Sequence, residues 1–426
     1  MRVLLISANT EQINVPVLPV GMARVAAAAD RAGHDIQVLN LMRPEHLIQA
    51  LPETVSGFAP EVIGISVRNI DDQCMDAPRF LLPPVQAVVE ACRRLSRAPI
   101  VLGGAGYSIF PRAVLDYLQA DYGIRGEGEA AFPLLLERLG RDLPVSDVAG
   151  LVLPSGSSGT PPARIRRLDD YPPPTPGVHL DIPADVDSTQ LWVPFQTRRG
   201  CPMNCTYCSS PAIEGRLMRR QSIPAVVENL RCFVSAGYKR FFFVDNLFNM
   251  PPAYAECLCD AIIDAELDIA WQAIVYPMRI QPRLAEKMAR AGCAEVALGF
   301  ESGHPEVLLR LNKRFSPEDI RQAASVFQKC GISRMGFLLL GGPGETRQSV
   351  RRSIEFADSL ELESVKLTPG IRIYPETPLA ALARRIGMVA PDADLLAPTF
   401  YLEPGLEGWL QEEVARKASQ RENWYI

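Results

Sequence analysis

Thr197-Arg198-Arg199-Gly200-Cys201-Pro202-Met203-Asn204-Cys205-Thr206-Tyr207-Cys208 is the stretch on which the reading of this chain turns. It sets Cys201, Cys205 and Cys208 in the pattern CxxxCxxC. A closed zinc site takes four ligands, and ferredoxin-type clusters take four cysteines at other spacings. No fourth cysteine or histidine lies nearby. His179 falls in a proline-rich segment upstream, and His304 is far downstream. Three thiolates on an iron–sulfur cubane leave one iron open, free to bind a substrate or cofactor. A zinc ion completed by a distant residue, or three cysteines with no metal role, are the alternatives that spacing leaves. The remaining cysteines (Cys74, Cys92, Cys232, Cys257, Cys259, Cys293 and Cys330) are scattered on helix-like and strand-end patterns and read as small buried hydrophobes.

Outward from the cluster, the downstream half repeats strand then helix. Residues 192–196 form the strand before the cysteines, and 223–236 a helix after them. Strand–helix pairs follow at 240–244 and 252–265, 269–275 and 282–291, 295–299 and 317–330, and 334–340 and 346–360. A last strand covers 364–373. Six such units predict a barrel or incomplete barrel with its chemistry at the carboxyl ends of the strands.

The upstream half alternates as well. Strands are expected at 2–8, 35–41, 61–67, 99–102 and 121–124, with an alanine-rich helix at 20–32 and another at 85–95. This order predicts an α/β, Rossmann-like, doubly wound parallel sheet, whose ligands sit beyond the carboxyl strand ends. Those ends read Asn9-Thr10-Glu11, Ser66-Val67-Arg68-Asn69-Ile70-Asp71, Gly103-Gly104-Ala105-Gly106 and Gly126-Glu127-Gly128-Glu129. They are polar or glycine-rich, as a ligand-bearing rim requires, although glycines also simply make turns. No GxGxxG follows the first strand, which argues against a nicotinamide dinucleotide. Proline, glycine and serine crowd residues 148–187, a semi-rigid linker. The expected division is 1–147, linker 148–187, barrel 188–379 and a short helical extension 380–426.

The chain has 426 residues, 47% hydrophobic and 22% charged, which suits a globular protein of two or three domains. The net charge of −5, from 44 basic and 49 acidic residues, gives no reason to expect nucleic acid or an anionic membrane as partner. No apolar run reaches the ~18–20 residues of a membrane span. The first residues read as a buried strand and lack a signal-peptide pattern, so a cytoplasmic location is expected.

With Tyr207 as the aromatic, Cys201 to Cys208 resembles the CxxxCx(aromatic)C signature of the radical SAM superfamily. The resemblance implies a 4Fe–4S cluster whose open iron is chelated by the amino and carboxylate groups of S-adenosylmethionine (SAM). Electron transfer then releases a 5′-deoxyadenosyl radical that abstracts hydrogen from an unactivated C–H bond. It also implies roles for three strand ends. Asp245 stands where the family usually has a glycine-glycine-glutamate element holding the methionine amine, here without the glycines. Glu301 and Ser302 are placed for ribose or methionine contacts. Gly342 lies in a segment similar to the one beside the adenine. A turn or helix cap is the plain reading of each.

A doubly wound domain ahead of such a barrel is similar to the cobalamin-binding subfamily, over residues 2 to 380. The strand-end segments at 66–71, 103–106 and 126–129 carry that similarity, as do Asn312-Lys313-Arg314 and Gly370-Ile371-Arg372-Ile373-Tyr374. The DxHxxG loop of methyltransferase cobalamin domains is absent, and His34 and His46 read as ordinary residues. Cobalt is therefore expected without a histidine below it, with the facing residue drawn from 68–71. The subfamily implies methyl transfer from SAM through methylcobalamin to an unactivated carbon. Ring contraction, cyclisation or another redox rearrangement is the alternative. It further implies a small substrate, touched by Tyr276, Arg372 and Tyr374, and an external electron donor of flavodoxin or ferredoxin type. A monomer is expected.

Overall fold

The computed structural model describes residues 1–9, 18–42, 49–154, 160–180 and 191–426. Thr10, Glu11 and His46 lie outside the described residues, as does part of the expected linker. The first sheet contains β1 (Arg2–Ser7), β2 (Asp35–Asn40), β3 (Val62–Ser66), β4 (Ile100–Gly103), β5 (Tyr122–Ile124) and β6 (Leu151–Val152), in the order β2-β1-β3-β4-β5-β6. All pairs are parallel except β5 with β6. The chain reverses its direction of winding between β1 and β3, the place where open α/β sheets bind ligands. Val3 to Ile6 are buried on both faces, which explains the unbroken apolar run.

Helices Val20–Arg31 and Gly128–Gly140 pack with Val3 and Leu5 on one face. Helices Ala50–Phe58, Leu82–Leu95 and Pro111–Leu118 pack with Leu4, Ile6 and Ile65 on the other. A Cβ on Gly128 would come within 2.9 Å of Val25, so that glycine lets two helices meet. Helix Leu82–Leu95 starts earlier than expected because Pro83 and Pro84 occupy its first turn, where no amide is needed.

The second sheet is wholly parallel. It is built from β7 (Trp192–Phe195), β10 (Arg240–Phe243), β11 (Ala270–Val275), β12 (Cys293–Glu301), β13 (Ser333–Leu340), β14 (Ser364–Pro369) and β17 (Trp424–Tyr425). Between β7 and β10 a small antiparallel hairpin intervenes, β8 (Arg198–Arg199) with β9 (Arg219–Arg220). A second pair joins β15 (Ile371–Arg372) to β16 (Phe400–Tyr401). Six strand–helix units thus form the partial barrel. The segment after residue 380 holds the expected helix, Trp409–Ala418, and also returns a strand, β17, to the outer edge of β14. Aromatic rings fill the early half of the barrel core, with Phe243 edge-on to Trp271 at 5.1 Å.

One apolar core crosses between the halves. Val307, Leu311, Ile371, Ile373 and Tyr401 belong to the same cluster as Leu4, Ile63 and Val114 of the first sheet and its helices. No described helix is long and apolar enough to cross a membrane.

Candidate functional site

The cysteine loop hangs from the β8–β9 hairpin, in which Arg198 faces Arg220 and Arg199 faces Arg219. Gly200 has φ +86°, and a Cβ there would lie 2.2 Å from the Leu217 carbonyl oxygen. Only glycine fits. The Gly200 amide donates to Glu214 Oε2 (2.9 Å), and the Cys201 amide to the Gly215 carbonyl (3.1 Å). On the far side, Thr206 donates to the Leu311 carbonyl, and Asn312 Nδ2 donates to the Asn204 carbonyl at 2.6 Å. Both sides of the loop are therefore pinned by neighbouring residues of the barrel.

Cys201 is buried, and Cys205 and Cys208 are half-buried. Burial pushes the Cys201 thiol up to about 11, and the neighbouring Cys208 and Cys205 push the same way. Burial also raises Cys205. Three mutually repelling sulfurs, with no imidazole or carboxylate among them, call for a positively charged iron–sulfur core in place of their protons. Among the described residues, no three His, Cys, Asp or Glu side chains converge on a single metal ion. A mononuclear zinc site therefore lacks its ligand set, whereas a cubane binds each thiolate to a different iron. The residues present fit the cluster.

Beside the thiols, Tyr207 donates to Glu301 Oε1 (2.8 Å), and Lys313 Nζ donates to the same oxygen (3.1 Å). Glu301 has φ +65° and follows an irregularity in the β12–β13 pairing, which turns its carboxylate towards the loop. Lys313 Nζ also reaches the Gly299 carbonyl (3.2 Å) and sits over the rings of Tyr207, Tyr276 and Phe315. Burial alone would depress the Lys313 amine. Glu301 reverses that and holds it well above its usual value. Lys313 appeared in the sequence only within the segment Asn312 to Arg314. Its role was hidden because nothing local announces its partners.

Several expected ligand contacts are reassigned. Asp245 is completely buried. Its Oδ1 accepts the amides of Thr197 (2.7 Å) and Arg198 (3.0 Å), and its Oδ2 accepts the Thr197 hydroxyl (2.5 Å) and pairs with Arg198 Nε (3.0 Å). It braces the hairpin and has no oxygen left for a methionine amine. Ser302 is equally enclosed, bonded to Ser353 Oγ (2.8 Å) and to the His304 amide (3.0 Å). Gly342 is a buried turn whose amide donates to Glu345 Oε2 (2.9 Å). Tyr276 packs edge-on against Phe315, and its hydroxyl accepts the Arg314 amide (2.8 Å), so it is a core latch. Arg372 directs its donors at Asp71 Oδ2 (2.7 Å) and at the carbonyls of Ile373, Thr399, Leu395 and Leu396. It clamps the halves together and has no free donor for a substrate. Tyr374 stays half-buried against Phe110, and its hydroxyl bonds to no described residue. Burial raises its pKa first, and Asp71 and Cys208 both add to that rise.

On the first sheet's rim, Asn9 is buried, and Ser66 and Asn69 are half-buried. Gly104 has φ +105°, and a Cβ on it would lie 2.6 Å from the Val67 carbonyl; one on Gly106 would lie 2.8 Å from that of Arg68. The loop at 67–68 therefore lies flat on the glycine turn, while the space over Gly103 is open. Arg68 reaches solvent and pairs with no described residue, yet the surrounding protein desolvates it enough to lower its pKa. His34 sits at the amino end of β2, away from the rim, and His179 bonds Asp30 and Thr175. A flat, glycine-lined rim fits a broad, planar cofactor such as a corrin ring. Asp71, Glu127 and Glu129 turn away from that rim, towards Arg372, Arg219 and Arg199. With them, Gly126 and Gly128 serve the turn and the helix contact.

Comparison with known families agrees with both halves. A B12-binding domain matches residues 6–136, and the radical SAM superfamily matches residues 195–357. The chain belongs to the cobalamin-dependent radical SAM enzymes. Their cofactors are a 4Fe–4S cluster, SAM and cobalamin. Among relatives of this cobalamin-dependent radical SAM enzyme, an uncharacterized methyltransferase of Pyrococcus horikoshii is 26% identical, over 88% of this chain and 82% of its own length. Tryptophan 2-C-methyltransferase of Streptomyces laurentii is 25% identical, over 87% and 73%. Among solved structures, the radical SAM methyltransferase TsrM of Kitasatospora setae, with cobalamin and a 4Fe–4S cluster bound, superposes with a TM-score of 0.86. That match covers 100% of this chain and 90% of that one at 22% identity, so it speaks for the fold.

Proposed function

We propose that this enzyme moves a methyl group from SAM, by way of cobalamin, to an unactivated carbon of a small, specialised metabolite. The bound cofactors supply a carbon-centred radical and a transferable methyl group. The protein's own residues do the placing. Cys201, Cys205 and Cys208 hold the cluster and leave one iron open. Tyr207, Glu301 and Lys313 form a polar wall beside it, the groups best situated to receive a charged cofactor. The glycine turn at 103–106 and the loop at 67–71 form the corrin shelf, with Arg68 the group of that loop free to face cobalt.

One observation carries the reading. The two halves meet at a buried ion pair, Arg372 with Asp71 at 2.7 Å, and beside it Tyr374 of the barrel packs against Phe110 of the first domain, which supports one cleft shared by the two rims. Methyl transfer to a substrate radical needs both cofactors within reach of one molecule. Tyr374 and Arg68 offer free polar ends to that molecule. The relative that acts on tryptophan supports a substrate of that size.

The test uses anaerobically reconstituted enzyme with cobalamin, a one-electron reductant, methyl-labelled SAM and candidate metabolites. Label is expected in the product, with S-adenosylhomocysteine released alongside. Substrate consumed with no label transferred would refute methyl transfer and leave a redox rearrangement.

A further inference from the structure

The two acidic residues that end the first sheet's rim do not face the rim at all. Glu127 Oε2 accepts both Arg219 Nη1 (2.8 Å) and the Ile165 amide (2.6 Å), and its Oε1 lies 2.6 Å from the same guanidinium nitrogen. Glu129, in the first turn of helix Gly128–Gly140, accepts Arg199 Nη2. Arg199 and Arg219 are direct cross-strand partners in the hairpin that carries the cysteine loop. Like charges facing each other across a strand pair repel, and both are buried. The hairpin therefore keeps its shape only with a carboxylate from the cobalamin domain against each arginine.

The contact continues into the cysteine loop. Arg199 Nε donates to Gln196 Oε1 (2.9 Å) and Gln196 Nε2 to Glu214 Oε1 (2.7 Å), while Glu214 Oε2 receives the Gly200 amide (2.9 Å). Arg24 of helix Val20–Arg31 adds a second tie, to the Gln196 carbonyl (3.1 Å). The links run unbroken from buried Glu129 and Arg199, through half-buried Gln196 and Glu214, to the residue before Cys201.

We propose that Glu129–Arg199 and Glu127–Arg219 are a positioning key that couples the cofactor sites, so that a filled cluster site tightens the corrin shelf and the reverse. The inference rests on the shared cleft proposed above. Glu127 and Glu129 follow Gly126, whose amide donates to Ser108 Oγ (3.0 Å), and Ser108 Oγ donates to the Gly104 carbonyl (2.8 Å) of the shelf, while Arg199 precedes Cys201 by two residues. A cluster that orders the loop orders the hairpin, and the hairpin fixes the turn at 126–129. Linkage makes the effect reciprocal.

The experiment titrates hydroxocobalamin into the full-length protein by absorbance, in cluster-stripped and cluster-reconstituted forms. The wild-type protein is expected to bind about 5–150-fold more tightly with its cluster in place, the usual range for coupled sites. Glu129→Gln is expected to bring that ratio close to one while each form still binds corrin. Arg199→Lys, which keeps the charge but loses the planar fork, is expected to give an intermediate ratio and serves if E129Q does not fold. Arg334→Lys, at a buried guanidinium paired with the exposed Glu363 at the start of β13, controls for general destabilisation and should leave the ratio untouched. Equal affinities in the two wild-type forms, an unchanged ratio in both E129Q and R199K, or an equal loss in R334K would each overturn the coupling. Absence of corrin binding in both wild-type forms would instead defeat the shared-cleft reading.

Discussion

Asp245 and Glu301 are both acids at carboxyl strand ends of one sheet, after β10 and at the end of β12, and they do opposite work. Asp245 has the shorter arm and lies completely buried, with both oxygens consumed by Thr197 and Arg198. Glu301 has one more methylene and a left-handed backbone, and its carboxylate reaches the thiol loop while staying half-buried. Arg198, beside Asp245, is 1% exposed, and Lys313, beside Glu301, is similarly enclosed. The difference lies in what else holds each cation. Lys313 keeps a carbonyl and three aromatic faces if its acid is removed. Arg198 keeps the Phe248 and Met250 carbonyls, but the backbone amides of Thr197 and Arg198 lose their shared acceptor as well.

The largest effect should therefore come from Asp245→Ala. It leaves a buried guanidinium and two amides without their acceptor, at a cost of about 3–5 kcal/mol. Urea denaturation should show that loss, and iron content after reconstitution should fall because the hairpin no longer holds its shape. Near-normal stability with SAM binding alone impaired would return Asp245 to the ligand-contact role that the sequence suggested.

A third acid sharpens the comparison through pH. Glu345 accepts the amides of Gly341 (2.6 Å) and Gly342 (2.9 Å), yet burial raises its carboxyl to about 7. Below about pH 4 the folded and unfolded chains both hold this proton. As pH rises from there to about 7, the unfolded chain releases it and the folded chain retains it. Stability therefore falls through that window and levels off above it, by about 3–4 kcal/mol in total. Glu345→Gln keeps an acceptor for the two amides and should remove this part of the slope when urea midpoints are compared at pH 5 and pH 8.

What the sequence made legible follows from the range of each interaction. β1 was plain because burial on both faces writes an unbroken apolar run, and the cysteine motif was plain because metal ligation needs three sulfurs on one short loop. The β8–β9 hairpin was not, because two strands of two arginines each carry no alternation. Helix Gly128–Gly140 was obscured by Pro133 inside it, which breaks the usual pattern. The polar rim was read as ligand contacts, and for Arg68 the free guanidinium keeps that reading open. For Asp71, Glu127 and Arg372 the partners lie 301 and 92 residues away, beyond any local signal. Ser302 and Asp245 failed for the same reason: residue type and strand-end position cannot tell a side chain that faces the cleft from one that closes the floor beneath it.

Glu301→Gln should cost less than the changes above, about 1–2 kcal/mol in stability, because the Gly299 carbonyl and the rings still hold Lys313. Its larger consequence should be on SAM, with binding weakened about tenfold, roughly 1.4 kcal/mol. Equilibrium binding to the reconstituted protein checks this. Unchanged SAM affinity would remove Glu301 from the cofactor wall and leave it a packing residue like Asp245.

The smallest effect is expected from Ser302→Ala, the immediate neighbour of Glu301. Its hydroxyl bonds Ser353 Oγ and the His304 amide within the floor, so its loss should cost about 1 kcal/mol. SAM affinity should not change, because the side chain is completely buried. The pair Glu301 and Ser302 then separates two sides of one strand end across a single peptide bond: one side chain turned to the thiol loop, the next turned into the floor, where the left-handed backbone of Glu301 ends β12. A tenfold weakening of SAM binding in Ser302→Ala, matching that of Glu301→Gln, would mean that the floor and the wall act as one unit.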